Sequence, residues 1–538
     1  MHTDAKRRAA LLGGDTRRAY LVGGSIASLA AAVLLIRDAG MPGANIQIFE
    51  ELEHSAGAFD AAGDPIEGHV TRGGRMFTEQ SYVCLWNILD SIPAAQDPSR
   101  SVKEELWASN RLLGPDAPGR LIDGKRQIVD ASDLGLEMRD RLELARLLVT
   151  PESHLDGKRI EACFSAHFFT TNFWTLWQTT FAFQNWHSAI ELKRYLLRFL
   201  QELPRIHDLA GVRRSVWNQY DMIVAPMVKW LRGAGVGFES GVAIEDADFI
   251  LQGRQRRLVA LHGRKGAAKL RVDLGAHDIA LLTLGSMTAD SRAGDDENAP
   301  ELVRHHADGA WTLWDNLTHK MPDLGSPSVF HGRIDESKWE SFTLTLRNPQ
   351  TYARLDAYTG NLPGTGGLIT FRDSNWLLSI VIPQAPHFAL EPAERFTIWG
   401  YGVSIDRPGN FIQKPMSVSS GREILEELLH HLDLADIAED VLATSTVIPV
   451  MMPFITSEFQ PRRRSDRPPV IPLGAENFAL LGQFVEIPED VVFTVEYSAR
   501  GAMHAVYGLL GLDREVPPVH HAIADPQVAL DALGKLLS

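Results

Sequence analysis

Cysteine is almost missing from this chain: Cys84 and Cys163 are the only two in 538 residues. Two thiols cannot build a disulfide framework or a cysteine-based zinc site, so a reducing cytoplasm is expected and no metal is called for. Long hydrophobic runs are also lacking. The longest, at 29–36, is too short to span a bilayer. Residues 1–18 are basic and polar with no cleavable apolar segment after them, which reads as a flexible tail rather than a signal peptide. Positive charge is in deficit, with 53 Lys and Arg against 68 Asp and Glu and a net charge of −15. That balance argues against a nucleic-acid partner, because phosphate contacts need clustered cations. No internal repeat or low-complexity block is present. A chain this long exceeds one hydrophobic core and should divide into about three or four domains.

The most informative stretch is 20–51, YLVGGSIASLAAAVLLIRDAGMPGANIQIFEE. A short apolar strand stops at Gly23 and Gly24, a helix is expected over Ser28 to Ala39, and a second strand, Ile46 to Phe49, ends in Glu50. Strand, glycine turn, helix, strand and acid open a dinucleotide-binding unit. Glycine lets the backbone approach a pyrophosphate, the helix N-terminus offers free N–H groups, and the carboxylate accepts from ribose hydroxyls. The usual glycine spacing is filled here by Gly23, Ser25 and Ser28, so only its first position is glycine.

Farther along, Gly68 to Pro93 combines a glycine loop bearing Arg72 and Arg75 with a helical pattern of Tyr82, Leu85, Trp86 and Leu89. Residues 132–200 are helical and aromatic on several sides, as for a buried segment or the lining of an apolar channel. His187 within it reads as a core residue bonded to a neighbour. A helix ends at Gly237, and strands over 238–285 finish in Ile279–Ser286, a second return of the chain toward the cofactor. Residues 286–330 read as a polar linker, 328–405 as β-rich, and the proline-rich 447–469 as extended loop. A late strand, Phe478–Leu481, stops at Gly482, and a small-residue helix is expected to begin at Ser498. In flavoproteins with an interrupted dinucleotide domain such a helix aims its N-terminus at the flavin pyrimidine ring. Two glycine units so far apart favour FAD over NAD. The expected class is therefore α/β: a Rossmann-like FAD domain drawn from 19–130, 216–300 and 471–511. A helical segment at 131–215, a β-rich substrate domain at 301–470 and a helical tail at 512–538 complete it. That tail reads as a docking helix with at most weak membrane-surface contact.

The strings IFEE, HVTRGGR, CLWNILDSIP, FFTTNFWTLWQTTFAFQNWHSA, WNQY, GSMT, GGLITFRDSNWLLSI, WGYG, KPM and GQFVEIPEDVVFTVEYSARGAM resemble the oleate hydratase family, formerly called myosin-cross-reactive antigen. The resemblance runs from about residue 19 to 510. It implies an FAD-bound hydro-lyase that adds water to the cis-9 double bond of oleate, giving 10-hydroxystearate, with the flavin shaping the site rather than serving as oxidant. It makes Tyr220 the acid that protonates the alkene. It assigns cofactor contacts to Gly23, Gly24, Ser25, Ala27, Ser28, Glu50, Glu51, Ala58, Arg75, Ser286, Gly482, Phe493 and Ser498. Thr456 and Arg462 are expected at the fatty-acid carboxylate, and Trp177 and Asn218 along the substrate. One position departs from the pattern: Met76 stands where the family has a glutamate that orients or deprotonates water, and the loop is one residue longer. Glu79 is the candidate replacement. A flavin oxidoreductase of the amine oxidase or desaturase kind, and a fatty-acid-binding flavoprotein of low activity, are the alternatives. Oligomeric state is open between monomer and homodimer.

Overall fold

Ala19–Val22 (β1) is buried along its whole length, as a central parallel strand covered on both faces must be. The computed structural model describes residues 17–537 except 54–56, 65–66, 74–75, 114–116, 366, 390 and 393. Most of the expected tail and Arg75 thus lie outside the described residues. β1 pairs in parallel with Ile46–Glu50 (β2) on one side, Leu21 opposite Ile48. Gly237–Ser240 (β3) extends that edge. On the other side β1 pairs with Ile279–Thr283 (β4), Leu21 opposite Leu281, and β4 pairs with Phe478–Leu481 (β5). The sheet order is β5-β4-β1-β2-β3, so segments more than 450 residues apart in sequence share one sheet. The expected α/β class with a Rossmann-like parallel sheet is what folds.

Helix Ile26–Arg37 (α1) follows the glycine turn, two residues earlier than expected, and is buried from Ile26 to Leu35. Its alanines at 27 and 30–32 let it lie flat between sheet and neighbours. Helix Val495–Leu510 (α2) packs beside it. α2 begins three residues before the expected Ser498, because Thr494 accepts from the Tyr497 N–H and caps the turn.

A mainly antiparallel seven-stranded sheet stands against this unit, centred on Trp339–Leu346, Phe396–Gly402 and Ser445–Met452. Side-chain alternation divides its two faces. Phe342, Leu344 and Ile398 join Leu425 and Leu428 of helix Gly421–His431 in one core. Trp339, Trp399 and Tyr401 point to the opposite face.

Two expectations are corrected. Residues 445–452 form a strand at the heart of this sheet, not a loop: Pro449 lies opposite Phe342, and its carbonyl accepts from Gly294. The stretch 286–330 is not a mere linker. It holds helix Gly309–Lys320, capped by Asp308, with Trp311, Leu313, Trp314 and Leu317 buried. The tail helix Pro526–Leu537 docks on the 200–205 turn, in keeping with its reading as a docking helix. Among the described residues no helix is long and apolar enough to cross a membrane.

Candidate functional site

The turn between β1 and α1 is built around Thr283, the last residue of β4. Gly23 has φ +87°, and a β-carbon there would sit 3.2 Å from the Thr283 side chain. Gly482, at φ +98°, would bring a β-carbon to 3.1 Å from the same side chain. Ser28 Oγ lies 3.2 Å from Thr283 Oγ1. Two strand ends and one helix therefore converge on a single threonine, and only glycine fits at the first two positions. Ser25 is the N-cap residue of α1, but its side chain makes no capping bond, which leaves the first-turn N–H groups for an anion.

These elements line a cavity of about 450 Å³ that runs from Glu50 and Glu51 past the glycine turn to Ser286, Gly482, Phe493 and Ser498. Glu50 accepts from the N–H groups of Gly24 at 2.6 Å and Leu52 at 2.8 Å. Burial raises its pKa against those hydrogen bonds. Glu51 accepts from Gly309 N at 2.7 Å, so the helix that sequence reading missed supplies part of this wall. Asp308, which caps that helix, is pushed up to about 7 by burial. Ala27 and Ser28 lie behind the wall rather than on it; their small side chains let α1 approach β4 closely, the task of the third position of the fingerprint. Ala58 falls in the short turn Gly57–Phe59.

Phe493 adopts φ +65°, unusual for a bulky residue. Gln483 holds it there: its Oε1 accepts from Phe493 N at 2.7 Å, and its Nε2 donates to Thr494 O at 3.1 Å and Ser498 Oγ at 2.8 Å. Phe493, Thr494, Val495 and Arg72 belong to the first cavity and also to a second one. The second cavity is walled by Met76, Phe181, Trp339, Trp399, Tyr401 and Arg214, with Thr179 and Thr180 at its side. Among the described residues no carboxylate or imidazole lines it. Among the described residues Arg214 brings the only charge on this wall besides Arg72. Its Nε and Nη2 are buried with no hydrogen-bond partner among the described residues, and burial, then repulsion from Arg120, lowers its pKa to about 9. The Tyr401 hydroxyl donates to the Thr179 carbonyl.

Several expected residues are placed elsewhere. Tyr220 opens a turn of π-helix, Tyr220–Val224, that leads into helix Ala225–Gly233. It is half-buried and is not among the wall residues of either cavity. It feels the charge of Asp60, and Asp60 pairs with Arg72 at 3.4 Å where the cavities meet. Burial first, then Asp60 and Asp221, raises the Tyr220 pKa above that of a free phenol. Glu79 is half-exposed and faces Arg213 at 3.8 Å, away from both cavities. It is therefore no stand-in for the lost loop glutamate, and Glu79→Gln is expected to leave turnover within about twofold of wild type, since surface changes of this kind shift energies by less than ~0.5 kcal/mol. A large rate loss in that variant would restore it as the base.

Asn218 is wholly buried and anchors a loop. Its Nδ2 donates to Asp221 at 2.7 Å, and its backbone N–H donates to the His387 carbonyl at 2.9 Å. Trp177 packs inside the aromatic segment, 5.6 Å from Phe173 and 4.7 Å from Phe181, on neither cavity wall. Thr456 Oγ1 donates to the Ser337 carbonyl at 2.9 Å. Arg462 is fully buried, with Nε on Glu191 at 2.8 Å and Nη2 3.1 Å from Glu486. The guanidinium is thus tied to two carboxylates and lines neither cavity. His187 is a core residue whose Nδ1 accepts from Gln184 N at 2.9 Å, and burial lowers it to about 3. Sequence reading missed Arg214, Thr179 and Thr180 as wall residues. For Trp399 and Tyr401 the strand alternation in WGYG carried the signal.

A parallel sheet with a glycine turn, an acid-ended second strand and a late returning helix defines a Rossmann-type α/β fold. Its fold is like that of putrescine oxidase bound to putrescine, with a TM-score of 0.53 at 11% identity, covering 92% of this chain and 99% of that one. The MCRA family model matches residues 16–507. The chain is 35% identical over 531 residues to an oleate hydratase of Streptococcus pyogenes serotype M49 (strain NZ131), covering 97% of this chain and 90% of that protein. It is 30% identical over 561 residues to a linoleate hydratase of Lactiplantibacillus plantarum, covering 96% and 98%. The chain belongs to the MCRA family.

Proposed function

We propose that this protein is an FAD-dependent fatty-acid hydratase that adds water to the cis-9 double bond of oleate and related acids, giving 10-hydroxy products. The observation that carries this reading is the joining of a dinucleotide cavity to an apolar, aromatic one through Arg72 and Phe493–Val495. The two hydratase relatives, matched over nearly the whole chain, supply the reaction class.

FAD fits the first cavity. The glycine turn and the uncapped start of α1 suit its pyrophosphate, Glu50 and Glu51 its ribose, and the N-terminus of α2 its ring. When bound, the flavin supplies a polarised surface beside the alkene. Gly23→Val is expected to give protein that purifies without flavin colour, because a side chain at φ +87° costs about 1–2 kcal/mol and would press on Thr283, shifting the turn that faces the pyrophosphate; flavin absorbance of the purified protein measures it.

Tyr220 is the proton donor in this reading. Its phenol adds a proton to one alkene carbon while a water oxygen bonds to the other. The protonated alcohol then gives up a proton, which restores the phenol, and the net change is one added water. With Met76 in the glutamate's place and no carboxylate among the described wall residues, the water is held rather than deprotonated, and Arg214, two of whose N–H donors have no partner among the described residues, can hold it. Mass spectrometry of oleate incubated with the FAD-loaded protein, oxidised and photoreduced, tests the reading. A product 18 mass units heavier without oxygen uptake is expected. Oxygen consumption with an oxidised product would overturn it in favour of a flavin oxidase.

A further inference from the structure

Asp315, on helix Gly309–Lys320, lies between two imidazoles that flank the helix in sequence. His306 Nε2 is 3.0 Å from Asp315 Oδ2, and His331 Nε2 is 3.1 Å from Oδ1. The two rings are 4.6 Å apart. The three candidate donor atoms all lie within 4.8 Å of one another, and all three residues are partly exposed. Both histidines open onto a surface cavity of about 720 Å³, so an ion and its water can enter. The cavity's arginines are engaged elsewhere: Arg304 with Asp335 at 3.1 Å and Arg333 with Glu336 at 3.4 Å. The ion pairs of Asp315 are thus both to imidazoles.

We propose that His306, Asp315 and His331 form a binding site for one divalent first-row transition ion of the zinc class. Two imidazoles and a carboxylate suit such borderline ions and leave a fourth position for water. Ligand bonds of about 2.0–2.2 Å put tetrahedral donor atoms ~3.3 Å apart. The two N···O separations therefore need to open by only a few tenths of an ångström, and the imidazole pair needs only to close. The bland alternative, a hydrogen-bonded staple, uses the same contacts but takes up no ion. The site lies on the helix whose Gly309 bonds Glu51 on the dinucleotide cavity. An ion here would tie residues before, within and after that helix together.

Cobalt(II) is the probe, added to the full chain after chelator treatment and dialysis and read by its visible d–d absorption; zinc is then titrated by calorimetry. One ion per chain is expected, with thermal stability rising with zinc concentration. His306→Ala and Asp315→Asn are each expected to weaken binding by at least about tenfold, the effect of losing even an outer-shell partner. Exposed His277 serves as control, and His277→Ala should leave uptake unchanged. Asp315→Asn keeps the shape and one acceptor oxygen, so circular dichroism should show it folded. Failure of stoichiometric uptake in wild type, or equal uptake in Asp315→Asn, would overturn the proposal.

Discussion

Tyr220→Phe is expected to lower hydration of oleate by about 10²–10⁴-fold, the usual contribution of a positioned general acid. The change removes one oxygen from a half-buried residue, so melting temperature and flavin content should stay near wild type while kcat falls. The pH profile gives a second check. Burial and the charges of Asp60 and Asp221 raise the phenol's pKa above its ordinary value of 10. An acid must carry its proton to act, so the raised value keeps Tyr220 competent throughout the neutral range and moves any alkaline loss from this group upward. Wild-type rates retained in Tyr220→Phe would shift the acid to another phenol, with Tyr82, Tyr195 and Tyr401 already on the cavity wall.

The second large effect is on stability. Arg462→Ala is expected to cost about 3 kcal/mol, because it strips one cation from a buried cluster in which Glu191 keeps Arg467 at 3.0 Å while Glu486 loses a partner. Glu191 shows why: burial alone would raise its pKa, yet Arg467, Arg462 and Arg194 hold it down at about 2. A folded-state value below the unfolded one gives stability that is present above about pH 4.5 and lost as pH falls toward 2. Removing Arg462 weakens that hold, so the variant should melt lower at neutral pH and lose less on further acidification. Thermal melts from pH 7 to 3 measure both effects. The KM for oleate separates the two roles: a substrate anchor would raise KM and spare the melting temperature, whereas the buried network predicts the reverse.

How much was legible in the sequence follows from how local each feature is. The opening β1–α1–β2 unit could be read because its glycines, helix and acid are contiguous, and its reading placed the helix two residues too late at both ends. Helix Gly309–Lys320 was hidden behind the acidic stretch 290–297, which made the whole of 286–330 look like linker. Arg462 was expected at the fatty-acid carboxylate, yet unlike its exposed neighbours Arg463 and Arg464 it turns inward to Glu191, a long-range partner that no local pattern announces. The second cavity had no local signature, since its wall is gathered from residues near 76, 180, 214, 339, 368, 400 and 494. Tyr220 carried nothing in its own neighbourhood and was singled out only by resemblance.

The parallel sheet has one more consequence. β5 and α2 are supplied by residues 478–510, and both border the cofactor cavity whose first wall is set by Gly23. During synthesis the nascent chain therefore cannot complete that cavity until residue 498 has cleared the ribosome tunnel. Until then β4 offers an open, unpaired edge in the cell, a hazard typical of sheets closed by distant segments. A ligand of that cavity should thus change how much finished protein survives rather than how early the first strands assemble.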